Sequence, residues 1–232
     1  MSGNFRKNNF DLIRLFAAIQ VAIVHAIHHF EFHHWTTAFK ALRLFPGVPI
    51  FFVISGFLIS ASYQRNPNLI RYFRARFLRI YPALWVCLVF TLLSALIFID
   101  RSIPFNQLLP WIVAQASFVQ FYNSDLFDSI GVGVLNGSLW TIPVELQFYC
   151  LLPVLILIFN FLRCDTNRIL VAAILFFSLA HILDSYLISR YNGWIISKLF
   201  HVTIIPHLYL FLVGIIIQNN LNRFLKLFGE FK

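Results

Sequence analysis

Charge is what this chain has least of. Only 12% of its 232 residues are Asp, Glu, Lys or Arg, and just nine are acidic. A soluble domain carries about 25% charged residues, so an ordinary water-soluble globule is excluded. Cysteine is scarce too. Cys87, Cys150 and Cys164 are odd in number and two lie inside apolar runs, so they read as small core residues and not as a disulfide framework. No low-complexity linker and no internal repeat interrupts the chain, which removes the mark expected of an inverted-repeat transporter. The Gly-rich stretch 131–137, GVGVLNG, is one residue off the dinucleotide fingerprint and lacks its strand–turn–helix context. It is set aside as part of a Gly/Asn/Asp-rich loop, Tyr122–Ser138. Asn136-Gly137-Ser138 fits the glycosylation pattern and is best read as a chance match.

What the chain has instead is apolar length. It is 59% hydrophobic with 28 phenylalanines and a mean hydropathy of +0.78. Apolar segments run over Phe10–His28, Leu44–Tyr63, Phe77–Ile99, Leu108–Tyr122, Pro143–Leu162, Ile169–Ile188 and Leu199–Gln218. Six have the roughly 20 residues a bilayer crossing needs. Leu108–Tyr122 is too short and is expected at the interface or re-entering. The sequence therefore predicts an all-α, polytopic transmembrane bundle of six or seven spans forming a single domain, 1–232. The net charge of +9 would point to nucleic acid in a soluble chain. Here the basic residues sit in short loops, where the positive-inside rule accounts for them. With a cytoplasmic N-terminus and a non-crossing Leu108–Tyr122, twelve Lys/Arg fall inside and five outside. If that segment crosses, the count is nine against eight, so the first arrangement is favoured. Arg6 and Lys7 precede the first apolar run as in a signal peptide, but Arg14 lies within it and no small-x-small cleavage site follows, so a retained first helix is expected.

That first helix carries Asp11, Arg14 and His25 within an apolar run. Ionisable side chains at membrane depth are costly and by default face a protein interior or a watery cavity. Arg14 and His25 are eleven residues apart, roughly 1,100° or about 20° past three turns, so they share one helix face about 16 Å apart along the axis. His28, His29, His33 and His34 follow, but zinc needs a defined set of three or four ligands and this spacing is not a common one. No metal is expected. His181, His201 and His207 read as interhelical or interfacial hydrogen-bonders.

Three further stretches stand out. Gly47–Ser60, with Phe51-Phe-Val-Ile-Ser-Gly-Phe57, holds small residues that let membrane helices approach closely, a packing role favoured over a catalytic one. Arg71, Arg74, Arg76 and Arg79 repeat at helical spacing. They fit either a topology and anionic-lipid signal or an anion clamp, since guanidinium pairs with phosphate in bidentate fashion. In Ser138–Tyr149, SLWTIPVELQFY, Glu145 lies near a helix start, where a carboxylate is stabilised. It is also an ionisable group within a bundle, which can be functional.

Taken in order, Arg14-x10-His25, Gly47–Ser60, Arg76-Phe-Leu-Arg-Ile-Tyr-Pro82 and Ser138–Tyr149 resemble the motifs of the membrane-bound acyltransferase 3 family, the bacterial O-acyltransferases, over residues 9–153. Thr141 stands where that family usually has Ser, and Pro143 is a local variation. The resemblance implies a cytoplasmic acyl-CoA donor, most often acetyl-CoA, no permanently bound cofactor, and a hydroxyl acceptor on a saccharide or glycolipid. It implies His25 and Glu145 as catalytic residues, Arg14, Arg76 and Arg79 as donor-binding, and Asp11, Trp140 and Tyr149 as shaping the site. It further implies the bacterial inner membrane, lipid contacts and no nucleic acid. Members of that family are usually longer, so the expectation is a short member lacking C-terminal helices. The chemistry is sensible, because an imidazole titrating near neutral pH can take the proton of a sugar hydroxyl as it attacks a thioester. An acyl-histidine route, a non-enzymatic transporter or export component, and an inactive truncated member are the alternatives.

Overall fold

The computed structural model describes residues 10–30, 42, 44–98, 104–123, 127, 133–191 and 195–229. The side chains of His28, His29, His33 and His34, and the basic Arg6, Lys7, Lys40, Arg43, Arg101 and Lys232, lie outside the described residues. The regular elements among the described residues are all helical: α1 Phe10–Phe30, α2 Gly47–Arg65, α3 Leu69–Phe98, α4 Phe105–Ala116, α5 Thr141–Phe161 preceded by a 3₁₀ turn Gly137–Trp140, α6 Thr166–Tyr191, α7 Ile195–His201, a 3₁₀ turn Ile205–His207, α8 Leu208–Asn219 and α9 Leu221–Gly229. Four helices, α2, α3, α5 with its leading turn, and α6, are long and apolar enough to cross a bilayer. α1 has 21 residues, which reach about 31 Å. α4, with 12 residues, reaches only about 18 Å and stays short of a crossing, as its segment's length implies. It is fixed to α3 by the Trp85 indole N–H, which donates to the Ala116 carbonyl at 3.0 Å.

One expected span is corrected. The apolar run Leu199–Gln218 is not a continuous helix. It breaks at Val202–Ile204, between α7 and the turn holding Pro206, a residue that removes an N–H and disfavours helix just before it. Backbone freed at membrane depth must find partners inside the protein. Gln147 of α5 supplies both: its Nε2 donates to the Val202 carbonyl at 2.9 Å, and its Oε1 accepts from the Ile204 N–H at 2.9 Å.

α2 is the central helix. Half of its apolar window is buried, against 17% for α3 and for α6. Its contact with α8 is made by glycines. A Cβ on Gly56 would collide with the Phe211 backbone, and one on Gly214 with the backbone of Val53 and Phe57, so close approach here requires glycine. Phe52, Phe148 and Phe211 stack through this core, with centroids 4.8 Å apart for Phe52–Phe211 and 4.0 Å for Phe148–Phe211. α1 packs on α2 at Gly47, whose N–H donates to Gln20 Oε1 at 3.1 Å. Its other side, with Leu12, Leu15, Phe16 and Ile19, is exposed, as a lipid-facing surface is.

The two ends of the bundle differ. At one end Gln64 of α2 meets Asn219 of α8, and Asn220 meets Thr166 of α6. Arg65, Arg71, Arg163, Arg168, Arg223 and Lys226 cluster in the loops and helix ends there. The opposite end holds the start of α2, the start of α5 and the α7–α8 break, together with His181, His201 and His207.

Candidate active site

The four motif stretches meet around α2. Arg14 and His25 both face it, as their spacing requires. The Arg14 guanidinium carbon lies 5.6 Å from the Phe51 ring centroid, a cation–π distance. Arg14 is only 9% exposed, yet its Nε and Nη1 are buried without a hydrogen-bond partner. His25 is exposed and opens on a cavity of about 230 Å³ whose walls include Gly47, Val48, Phe51, Ser138, Trp140 and Thr141. The first, second and fourth motifs thus form one chamber. Gly47 is required in that wall, because a Cβ there would meet Gln20 Oε1 and the Ala17 carbonyl.

Glu145 does not line that chamber. It is buried at the α2–α5 contact, where its Oε1 accepts from Ser55 Oγ at 2.8 Å and from Tyr149 Oη at 2.6 Å. Tyr149 is one turn on, so the second bond follows from helix spacing. Ser55 comes from the second motif, 90 residues away in sequence. Sequence reasoning took it as a packing residue, and only its place in a Ser-Gly pair within an apolar run marked it. Tyr149 also accepts through its carbonyl from Tyr72 Oη at 3.1 Å. The Arg76 guanidinium carbon stands 5.8 Å from the Tyr72 ring and 5.9 Å from the Tyr149 ring. Arg76 Nη2 donates to Ser62 Oγ at 3.4 Å, while its Nε is buried without a partner.

Arg79 is exposed one turn further along α3. α3 has 30 residues, about 45 Å, which exceeds the roughly 30 Å hydrocarbon core. Its arginine-bearing turns therefore reach the boundary. Asp11 is exposed in the first turn of α1, where a carboxylate complements the helix dipole; it is not drawn into either cluster. Trp140, half-buried, is shared by the His25 chamber and a second cavity beside it. Among the described residues no three His, Cys, Asp or Glu side chains converge on a possible metal position.

A family model described as an acyltransferase domain (acyltransferase 3) matches residues 7–229. The chain is 32% identical, over 96% of its length, to nodulation protein 10 of Rhizobium leguminosarum bv. viciae, of which it spans 62%. It is 30% identical over half its length to peptidoglycan O-acetyltransferase OatA of Listeria monocytogenes, covering 20% of that protein. Against an O-acetyl transferase of Shigella phage Sf6 it is 31% identical, with 62% of this chain and 44% of the other aligned. No solved structure matches. A match over nearly the whole chain, on a multi-pass helical membrane protein whose four motif stretches assemble around one helix, means that the chain belongs to the acyltransferase 3 family.

Proposed function

We propose that this protein moves an acyl group, assigned as acetyl, from cytoplasmic acyl-CoA to a hydroxyl of a saccharide or glycolipid, with His25 as general base. The observation that carries the reading is the convergence itself. An imidazole opens on a chamber walled by three motif stretches, and Arg14 and Arg76 keep guanidinium nitrogens buried without partners. Such nitrogens suit the phosphates of coenzyme A, which pair with guanidinium in bidentate fashion. The names of two relatives, both O-acetyl transferases, support the acetyl group, and one of them names peptidoglycan as its target.

In the proposed reaction the donor enters from the basic end, read as cytoplasmic by the positive-inside rule, of a bacterial inner-membrane protein with its N-terminus on that side. Arg76 and Arg79 meet the nucleotide portion, Arg14 lies deeper, and the acyl thioester reaches His25. The acceptor oxygen attacks the thioester carbonyl as His25 takes its proton. The C–S bond then breaks, and the imidazolium returns the proton to the leaving thiolate. Glu145 acts as a positioning residue: its Oε1 ties α2 to α5 and holds Tyr149 against Arg76.

The test is transfer of labelled acetyl from acetyl-CoA to envelope glycans in membranes holding the native chain or His25→Ala at equal abundance. Label in glycan with the native chain alone is expected. Equal label from both would remove His25 from the chemistry.

A further inference from the structure

Beside the His25 chamber lies a second cavity of about 350 Å³, at the opposite end of the bundle from Arg65, Arg71, Arg163 and Arg168, lined by Trp140, His181, Asp184, His201 and His207 among others. Trp140 and Val48 line both cavities, so one indole forms a shared wall. None of the four polar residues belongs to a motif stretch. They arrive from three separate pieces of chain: α6 brings His181 and Asp184, α7 ends at His201, and the turn after the Val202–Ile204 break brings His207. The broken segment thus has a consequence, since a straight helix through 199–218 would not fold His201 back beside His207.

The polar atoms are held in place but retain bonding capacity. His207 Nε2 is 3.0 Å from the His201 carbonyl. A carbonyl only accepts, so Nε2 carries the proton and Nδ1 is left as an acceptor. The His207 ring packs against two neighbouring aromatic rings, 5.3 Å from Phe52 and 5.3 Å from Trp140. Asp184 Oδ1 is 3.2 Å from His201 Nε2, but that oxygen is buried and makes no aligned hydrogen bond. The cavity therefore offers an aromatic wall, a carboxylate and imidazole acceptors. A carboxylate repels phosphate and welcomes hydroxyl donors, so the chemistry favours a neutral polyhydroxylated ligand over an anion. The volume is at the small end of ligand pockets, about 300–1,000 Å³, which suits a short saccharide and not a whole acyl-CoA.

We propose that this cavity is the acceptor site, in which a saccharide lies against Trp140 with its hydroxyls on Asp184, His201 and His207, and presents one hydroxyl past Trp140 to His25. The inference rests on the acyl-transfer reading for its role, while the binding it predicts does not. The full chain in lipid nanodiscs is tested on a panel of immobilised hexose and N-acetylhexosamine oligosaccharides, with inorganic phosphate as competitor. Native protein and His25→Ala are expected to be retained on at least one glycan. Asp184→Asn and His201→Gln, on different helices and each checked for monodispersity, are expected to bind at least tenfold more weakly, and phosphate is expected not to compete. Retention of no glycan, equal retention of both variants, or competition by phosphate would each overturn the site. Retention that depends on Asp184 and His201, without acetyl transfer by the native chain, would uphold the site and sink the transfer reading. His25-dependent transfer with a native acceptor KM in Asp184→Asn would do the reverse.

Discussion

Among the described residues, Glu145 and Arg14 are the buried carboxyl and guanidinium side chains, and their surroundings are opposite. At the α2–α5 contact, Glu145 receives two hydroxyl protons on one oxygen, from Ser55 and Tyr149. At the α1–α2 contact, Arg14 rests on Phe51 with two guanidinium nitrogens unbonded. A buried polar group that is satisfied specifies packing, whereas one left open costs free energy until something binds it. On the proposed function, the difference separates a joint that holds helices together from a surface that meets the donor. His25 stands on the Arg14 side of that division, on the same face of α1.

The largest effect expected from breaking the joint is that of Glu145→Ala. It orphans two buried hydroxyl donors and should cost about 3 kcal/mol or more, seen as a lower unfolding midpoint in detergent. Glu145→Gln keeps a carbonyl at the accepting position and should stay near native in both stability and transfer. Full loss of transfer in a stably folded Glu145→Gln would instead make Glu145 a proton carrier. Next in size is Gly56→Leu, which drives a side chain into the Phe211 backbone and should cost about 2–3 kcal/mol by overpacking, with a drop in folded yield. Arg14→Gln should leave the midpoint unchanged or raise it, because an unpaired buried charge is removed, while weakening acetyl-CoA binding at least tenfold by equilibrium dialysis. Ser55→Ala is the smallest, at about 1 kcal/mol for one hydrogen bond, with Tyr149 still bonded to Glu145. A cost in Ser55→Ala as large as in Glu145→Ala would mean the hydroxyl does more than brace the joint.

Much of this was legible in the chain. The eleven-residue interval between Arg14 and His25 fixes a common face on any regular helix, and both do face α2. Small residues at Gly47 and Gly56 announced close helix approach, and each is indeed pressed against backbone or a neighbouring side chain. Other features were hidden for physical reasons. The break at Val202–Ile204 lies within an apolar run, and hydropathy does not see a backbone whose partners come from Gln147 on another helix. Ser55 bonds a residue 90 positions away, beyond any local pattern. His201 read as an interhelical or interfacial hydrogen-bonder and Asp184 carried no signal, because only the fold around that break brings them together.

The comparison is tested most directly by measuring unfolding midpoint and labelled acetyl-CoA binding on the same purified samples of native chain, Arg14→Gln and Glu145→Ala. The account predicts that Arg14→Gln remains as stable as native and loses donor affinity, whereas Glu145→Ala loses stability first. An Arg14→Gln chain that unfolds early, or one that binds donor as tightly as native, would contradict it.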